Sequence, residues 1–163
     1  MSIGQNFARA TLWLFVVLLG IDLGAGTYEA RVVVPLWAAD APASLAATNP
    51  YVRVATDAGM HWWRYFSPLL ALVTLAALLS SGLAPSAGRS WRLVATALEL
   101  AVVTATFAYF VPSILAMLVR HGDGLSPAEL AAKASTWAAL NWVRVVLTLA
   151  AWLAGLRALS RTG

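Results

Sequence analysis

Four apolar blocks dominate the sequence, each longer than the roughly 20 residues that a helix needs to cross the hydrocarbon of a bilayer. They run from about Ala8 to Trp37, from about Met60 to Leu83, from about Trp91 to Val119, and from Pro127 to about Leu159. Alanine and leucine prevail in them without strand-like alternation, which predicts helices rather than barrel strands. A chain of 163 residues that is 61% hydrophobic and 11% charged cannot hide its apolar surface in one water-exposed core. Disorder requires the opposite composition. The expected fold is therefore all-α: a polytopic membrane protein, an antiparallel bundle of four transmembrane helices forming a single domain over residues 1–163, with both termini on the same side.

The breaks between blocks carry turn chemistry. Asp40-Ala41-Pro42 through Asn49-Pro50 is polar and proline-bearing, Gly82 through Gly88 encloses Pro85, and His121-Gly122-Asp123-Gly124 stops a helix. Ser126, Pro127 and Glu129 form a start signal for the last span: a cap, a first-turn proline and a first-turn acid. Charge sets the expected orientation. Arg9, Arg89, Arg92, Arg157 and Arg161 cluster at the two ends and the second connection with no acidic partner, whereas Arg53, Arg120 and Lys133 are mixed with Asp40, Asp57, Asp123 and Glu129. The positive-inside rule then puts both termini in the cytoplasm of a bacterial-type inner membrane. Arg9 ahead of an apolar stretch resembles a signal peptide, but Asp22 interrupts it and the block continues through Val32-Val33-Val34, so an uncleaved first span is expected.

Ionisable groups inside hydrocarbon are costly, and each is a candidate functional residue. Asp22, Gly26 and Glu29 share one face of the first span, and Trp137, Asn141, Arg144 and Thr148 share one face of the fourth. Both stripes should point inward, where Arg144 needs an anion; Asp22 and Glu29 match its depth better than Glu99, which has Arg92 as a local candidate partner. Gly20, Gly24 and Gly26 thin the first span for a neighbouring backbone, and Pro112 should kink the third near Tyr109 and Phe110. His61, Arg64 and Tyr65 fall at the outer end of the second span, and Trp37, Trp62, Trp63 and Trp142 read as an interfacial belt.

Several chemistries find no support. Cysteine is absent, which removes disulfides, thiolate metal sites and thiol redox relays. There is no Glu-x-x-His pair for a diiron centre, and Glu29, His61 and Glu99 differ in depth, so no metal is expected. His61 and His121 cannot face each other across a haem, because His121 falls in a connection. The net charge of +4 comes from arginines at block ends rather than a basic stripe, so lipid is expected as the partner and nucleic acid is not.

The stripe Trp137-Ala-Ala-Leu-Asn141-Trp-Val-Arg144, read as W-x3-N-x2-R, resembles the C-terminal motif of the anthrone oxygenase-like family of small four-helix membrane proteins. Thr106 through Pro112 resembles that family's third-helix pattern, and Gly24 through Pro35-Leu36 its first-helix glycines and outer proline step; Ser113 and Ile114 stand where the family often has an asparagine. The resemblance implies an oxygenase that uses no metal or flavin and oxidises a flat polycyclic anthrone. A base forms the electron-rich enolate, which reacts with O2 directly, while a cation or donor holds the developing oxyanion. Carried onto this chain, the implied catalytic residues are Glu29 or His61 as base with Asn141 and Arg144 at the oxygen, and the implied ligand-binding residues are Asp22, Tyr109 and Trp137. The implied ligand is a flat lipophilic molecule, polycyclic or quinone-like. The competing expectation is a non-catalytic membrane subunit, a scaffold whose polar core fixes helix register and whose outer face meets a second copy or other subunits.

Overall fold

The computed structural model describes residues 3–45, 50–82, 88–120 and 124–161. These residues are helical throughout apart from turns, and no strand occurs among them. The α-helices are α1 (Ile3–Tyr28), α2 (Val34–Ala38), α3 (Pro50–Ser80), α4 (Arg89–Ala105), α5 (Val111–Ile114) and α6 (Pro127–Leu159). Among the described residues, four stretches are long and apolar enough to cross a membrane: Ile3–Ala38, Asp57–Ser80, Arg89–Leu118 and Pro127–Leu159. The expected breaks at Asn49, Pro85 and His121–Asp123 lie outside the described residues.

The first and third spans depart from plain α-helix. α1 joins α2 through a π-helical segment, Glu29–Val33, and α4 joins α5 through another, Thr106–Phe110; a third, Leu115–Val119, follows α5. The first two precede Val34-Pro35 and Val111-Pro112, so a proline sits at the start of the next α-helical piece in both. The physical reason is common to both. Proline has no N–H to donate, and its ring crowds the carbonyl four residues back. Widening the helix by one residue per turn relieves that crowding; the N–H groups of Val34 and Val111 reach five residues back, to the carbonyls of Glu29 and Thr106. The kink expected from Pro112 is thus a change of helix type.

The start of α6 follows its sequence signal. The Ser126 backbone N–H and hydroxyl donate to Glu129 Oε2 at 2.8 and 2.7 Å, and the Glu129 N–H donates to Ser126 Oγ at 3.3 Å. This is a reciprocal capping box with proline at the first helical position. Just before it, Gly124 takes a φ of +80°, the left-handed conformation that glycine adopts without strain.

The chain divides into two compact units. The first comprises Met1–Gly24, Tyr65–Val103 and Val146–Gly163, and the second Ala25–Arg64 and Thr104–Val145. In the first, Ala8, Leu12, Phe15 and Leu19 of α1, Phe66, Leu70, Val73 and Ala77 of α3, and Ala151, Ala154 and Ala158 of α6 are buried at alternating spacings of three and four. Leu14, Val17, Leu72, Leu79 and Leu153 face outward, as expected where lipid is the solvent. Small residues let backbones approach: a Cβ added at Gly155 would lie 2.8 Å from Val16 Cγ2, and one at Gly88 would lie 2.5 Å from the Ala158 carbonyl oxygen. Of the glycines expected to thin the first span, a Cβ added at Gly20 would lie 3.2 Å from the Trp152 indole nitrogen, whereas one at Gly24 would meet nothing within 4 Å, which corrects the expectation of close approach there.

Gly88→Ala and Gly155→Ala should each cost about 1–3 kcal/mol through overpacking. Gly24→Ala should be neutral or stabilise by up to about 1 kcal/mol through helix propensity. Thermal unfolding in detergent separates the two classes, and equal effects at all three positions would contradict the packing described.

Candidate functional site

Arg144 occupies the inward stripe of α6 within the second unit. Its Nη2 donates to Glu29 Oε2 at 3.1 Å. Its Cζ lies 5.3 Å from the ring centroids of both Trp63 and Phe110. The planar cation therefore has a carboxylate on one nitrogen and aromatic faces around its carbon, and both arrangements are favourable to a poorly hydrated guanidinium. The side chains of Arg144 and Glu29 are 12% and 13% exposed, so the pair is largely but not completely withdrawn from the surface. Gly26, one turn before Glu29, lies beside the pair: a Cβ there would be in ordinary van der Waals contact with Nη2, at 3.9 Å.

Each partner is delivered by a different part of the second unit. Glu29 opens the first π-helical segment. Phe110 closes the second, and Trp63 belongs to α3. Beside the ion pair lies an aromatic wall. Trp137 packs edge-on against Trp37 at 5.1 Å and against Phe110 at 5.3 Å, and Tyr109 meets Phe110 at 5.3 Å. The Trp137 indole N–H donates to the Phe110 carbonyl at 3.2 Å, which satisfies that donor in an apolar setting. Val34, Leu45, Met117, Leu130 and Ala134 complete the core around this wall.

The expected site residues fall into three groups. Glu29, Arg144, Trp137 and Tyr109 lie in the second unit, the first two in direct contact and the last two in or against the aromatic wall. Asn141 is also there, fully buried, and neither its Oδ1 nor its Nδ2 meets a hydrogen-bond partner among the described residues. Asp22 and His61 are placed otherwise. Asp22 belongs to the first unit and accepts a hydrogen bond from the Thr148 hydroxyl at 3.3 Å, whereas Glu29 makes an ion pair with Arg144. His61 is exposed on α3. Two residues separate it from Trp63, or about 200° of helical turn, so it is on the side of α3 away from the Trp63 face.

Of the tryptophans expected in the interfacial belt, Trp37 is buried in the wall and Trp63, half-buried, lies against Arg144. Trp37 is 2% exposed, in phase with Ala30 and Val34, and Trp63 covers Arg144. Trp62 and Trp142, at 46% and 42% exposure, do face outward. Adjacent tryptophans on a helix point about 100° apart, so the Trp62-Trp63 pair already signals that one of them turns inward. Among the described residues, no group of three or more His, Cys, Asp or Glu converges as a metal would require. Comparison with family models, with curated proteins and with solved structures finds no match to this chain.

Glu29→Ala should lower stability by about 2 kcal/mol, because it leaves a largely buried guanidinium without its counter-charge. Arg144→Lys should recover little of the native stability, since an ammonium lacks the planar face that lies against Trp63 and Phe110. Unfolding midpoints equal to wild type for Glu29→Ala would remove the pair from the stability of the fold.

Proposed function

We propose that this chain is an integral membrane protein whose Arg144 site binds a flat lipophilic molecule, polycyclic or quinone-like, and that it acts as a cofactor-independent oxygenase of the anthrone type. The observation that carries this reading is a guanidinium flanked by the Trp63 and Phe110 rings, paired with Glu29, and standing on the W-x3-N-x2-R stripe of α6. Such a site supplies what a carbanion oxidation needs: an acceptor for a benzylic proton, a cation for the oxygen on which charge develops, and an apolar wall for a flat ring.

In this reading Glu29 takes a proton from the benzylic carbon, and Arg144 with Asn141 stabilises the resulting enolate oxygen. O2 adds at the carbon to give a peroxide. Loss of the second benzylic hydrogen as a proton, with cleavage of the O–O bond, leaves one oxygen atom as the new carbonyl and the other as water. The substrate loses two hydrogens and gains one oxygen, and O2 is the sole oxidant. Trp137 and Tyr109 form the wall. The exposed position of His61 favours Glu29 as base, and Asp22 is not called upon.

A second reading is a non-catalytic membrane subunit, and the near-complete burial of Trp137 and Asn141, 2% and 0% exposed, favours it. Turnover distinguishes the two. Membranes containing the wild-type protein should consume O2 with an added anthrone and release the quinone, and Arg144→Ala and Asn141→Ala should each reduce the rate by about 100-fold or more. Absence of turnover in wild type, together with no thermal stabilisation by the quinone in detergent, would leave the subunit reading standing.

The same proposal includes an antiparallel bundle with both termini in the cytoplasm, supported by the clustering of Arg9, Arg89, Arg92, Arg157 and Arg161 at the two ends and the second connection. The cysteine-free sequence allows a direct check. A cysteine replacing Ala43 should react with a membrane-impermeant maleimide on intact cells, and one replacing Ser160 should react only after permeabilisation. The reverse pattern would invert the topology.

A further inference from the structure

Arg92 is the most deeply buried cation among the described residues, at 2% exposure, and it takes no part in the Arg144 site. It lies in the first turn of α4, within the first unit. Neither its Nε nor its Nη1 meets a hydrogen-bond partner among the described residues. An arginine cannot shed its charge in a protein, so unmade N–H bonds on a buried guanidinium are expensive and require an occupant.

The same buried face of α4 indicates what that occupant is. Thr96 and Glu99 follow at one-turn intervals, both 0% exposed. The Thr96 hydroxyl donates to the carbonyls of Arg92 and Leu93 at 3.0 and 3.2 Å, which leaves lone pairs on Oγ1 free to accept. The face thus presents a charged donor, a hydroxyl acceptor and a carboxylate in sequence, spanning about 10 Å along the helix axis. Glu99 is seven residues from Arg92 on this face, and Arg92 Nε and Nη1 make no hydrogen bond to it or to any other described residue. A buried water with about three polar partners is the usual bridge between buried polar groups that do not meet directly.

We propose that internal water joins Arg92, Thr96 and Glu99 into a second polar site confined to the first unit. One water accepts from the Arg92 Nε–H and donates to Thr96 Oγ1 and to the Glu99 carboxylate, alone or through a second water. The carboxylate supplies the counter-charge and the water carries the contact. The site is independent of the proposed oxygenase chemistry and survives its failure.

Two measurements test it. In the first, Arg92→Met and Glu99→Met should each lower the unfolding midpoint in detergent by about 10 °C, and the double variant should recover at least half of that loss, because removing both charges leaves neither stranded. Additive losses would overturn the coupling. A midpoint that rises with chloride at constant ionic strength would identify a bound anion as the partner of Arg92, and would also overturn the proposal. The second needs only the wild-type protein, should the variants fail to accumulate. In lipid nanodiscs with 15N-labelled arginine, magnetisation from water should reach the buried Arg92 Nε–H rapidly, and failure of that transfer would exclude the water.

Discussion

A guanidinium keeps its charge at any physiological pH, so once Arg144 sits in a membrane-length helix the second unit has to provide what water otherwise would. It does so from several directions. Glu29 neutralises one nitrogen, and Trp63 and Phe110 offer aromatic faces to the central carbon. These residues come from segments far apart in the chain, so the demand of one side chain links the first, second and third spans to α6 within this unit. A buried pair is not a cheap source of stability, since two apolar residues of the same volume often serve as well. Its presence therefore fits a purpose other than holding the helices together.

The two prolines at Pro35 and Pro112 shape the site without touching the guanidinium. Each lies just past a π-helical segment, and each segment carries a residue that reaches Arg144, Glu29 at the start of one and Phe110 at the end of the other. Widening a helix by one residue rotates everything beyond it by about 100° relative to a plain α-helix. The faces presented before and after the widening are thus reset independently. That lets Ala30, Val34 and Trp37 fill the core while Glu29, next to Ala30, still reaches the arginine.

The sequence revealed the four spans, the start of α6 and the inward aim of Arg144, because each rests on a local signal: apolar length, the Ser126–Glu129 pair and the cost of a charge in hydrocarbon. Glu29 was one of two candidates, and phase alone did not separate it from Asp22, since both lie on one face of an ideal helix. The contacts that decide between them, Thr148 with Asp22 and Arg144 with Glu29, are tertiary. Trp37 departs from the interfacial expectation for a related reason: tryptophan near the end of a span is common at the lipid interface, and composition says nothing about which face of the helix it occupies. The π-helical segments were legible only as prolines. The close approaches at Gly88 and Gly155 had no local signal, because they depend on which residue of another helix happens to lie opposite.

The aromatic faces bear on the choice between an enzyme and a structural subunit. A clamp that only fixes helix register needs one carboxylate, and any additional hydrogen-bond acceptor would satisfy the remaining N–H groups more fully than a ring. Aromatic neighbours instead shield the planar guanidinium from solvent without competing for its N–H groups. A cation in that condition is suited to a charge that appears transiently and is spread over a flat conjugated system, as in an anthrone enolate, since preorganised donors in a dry site need no reorganisation when the charge develops. Under the proposed function, the aromatic surroundings of Arg144, together with the amide of Asn141 one turn away, which meets no hydrogen-bond partner among the described residues, are what the chemistry would use; under the structural reading that amide is a cost without a return.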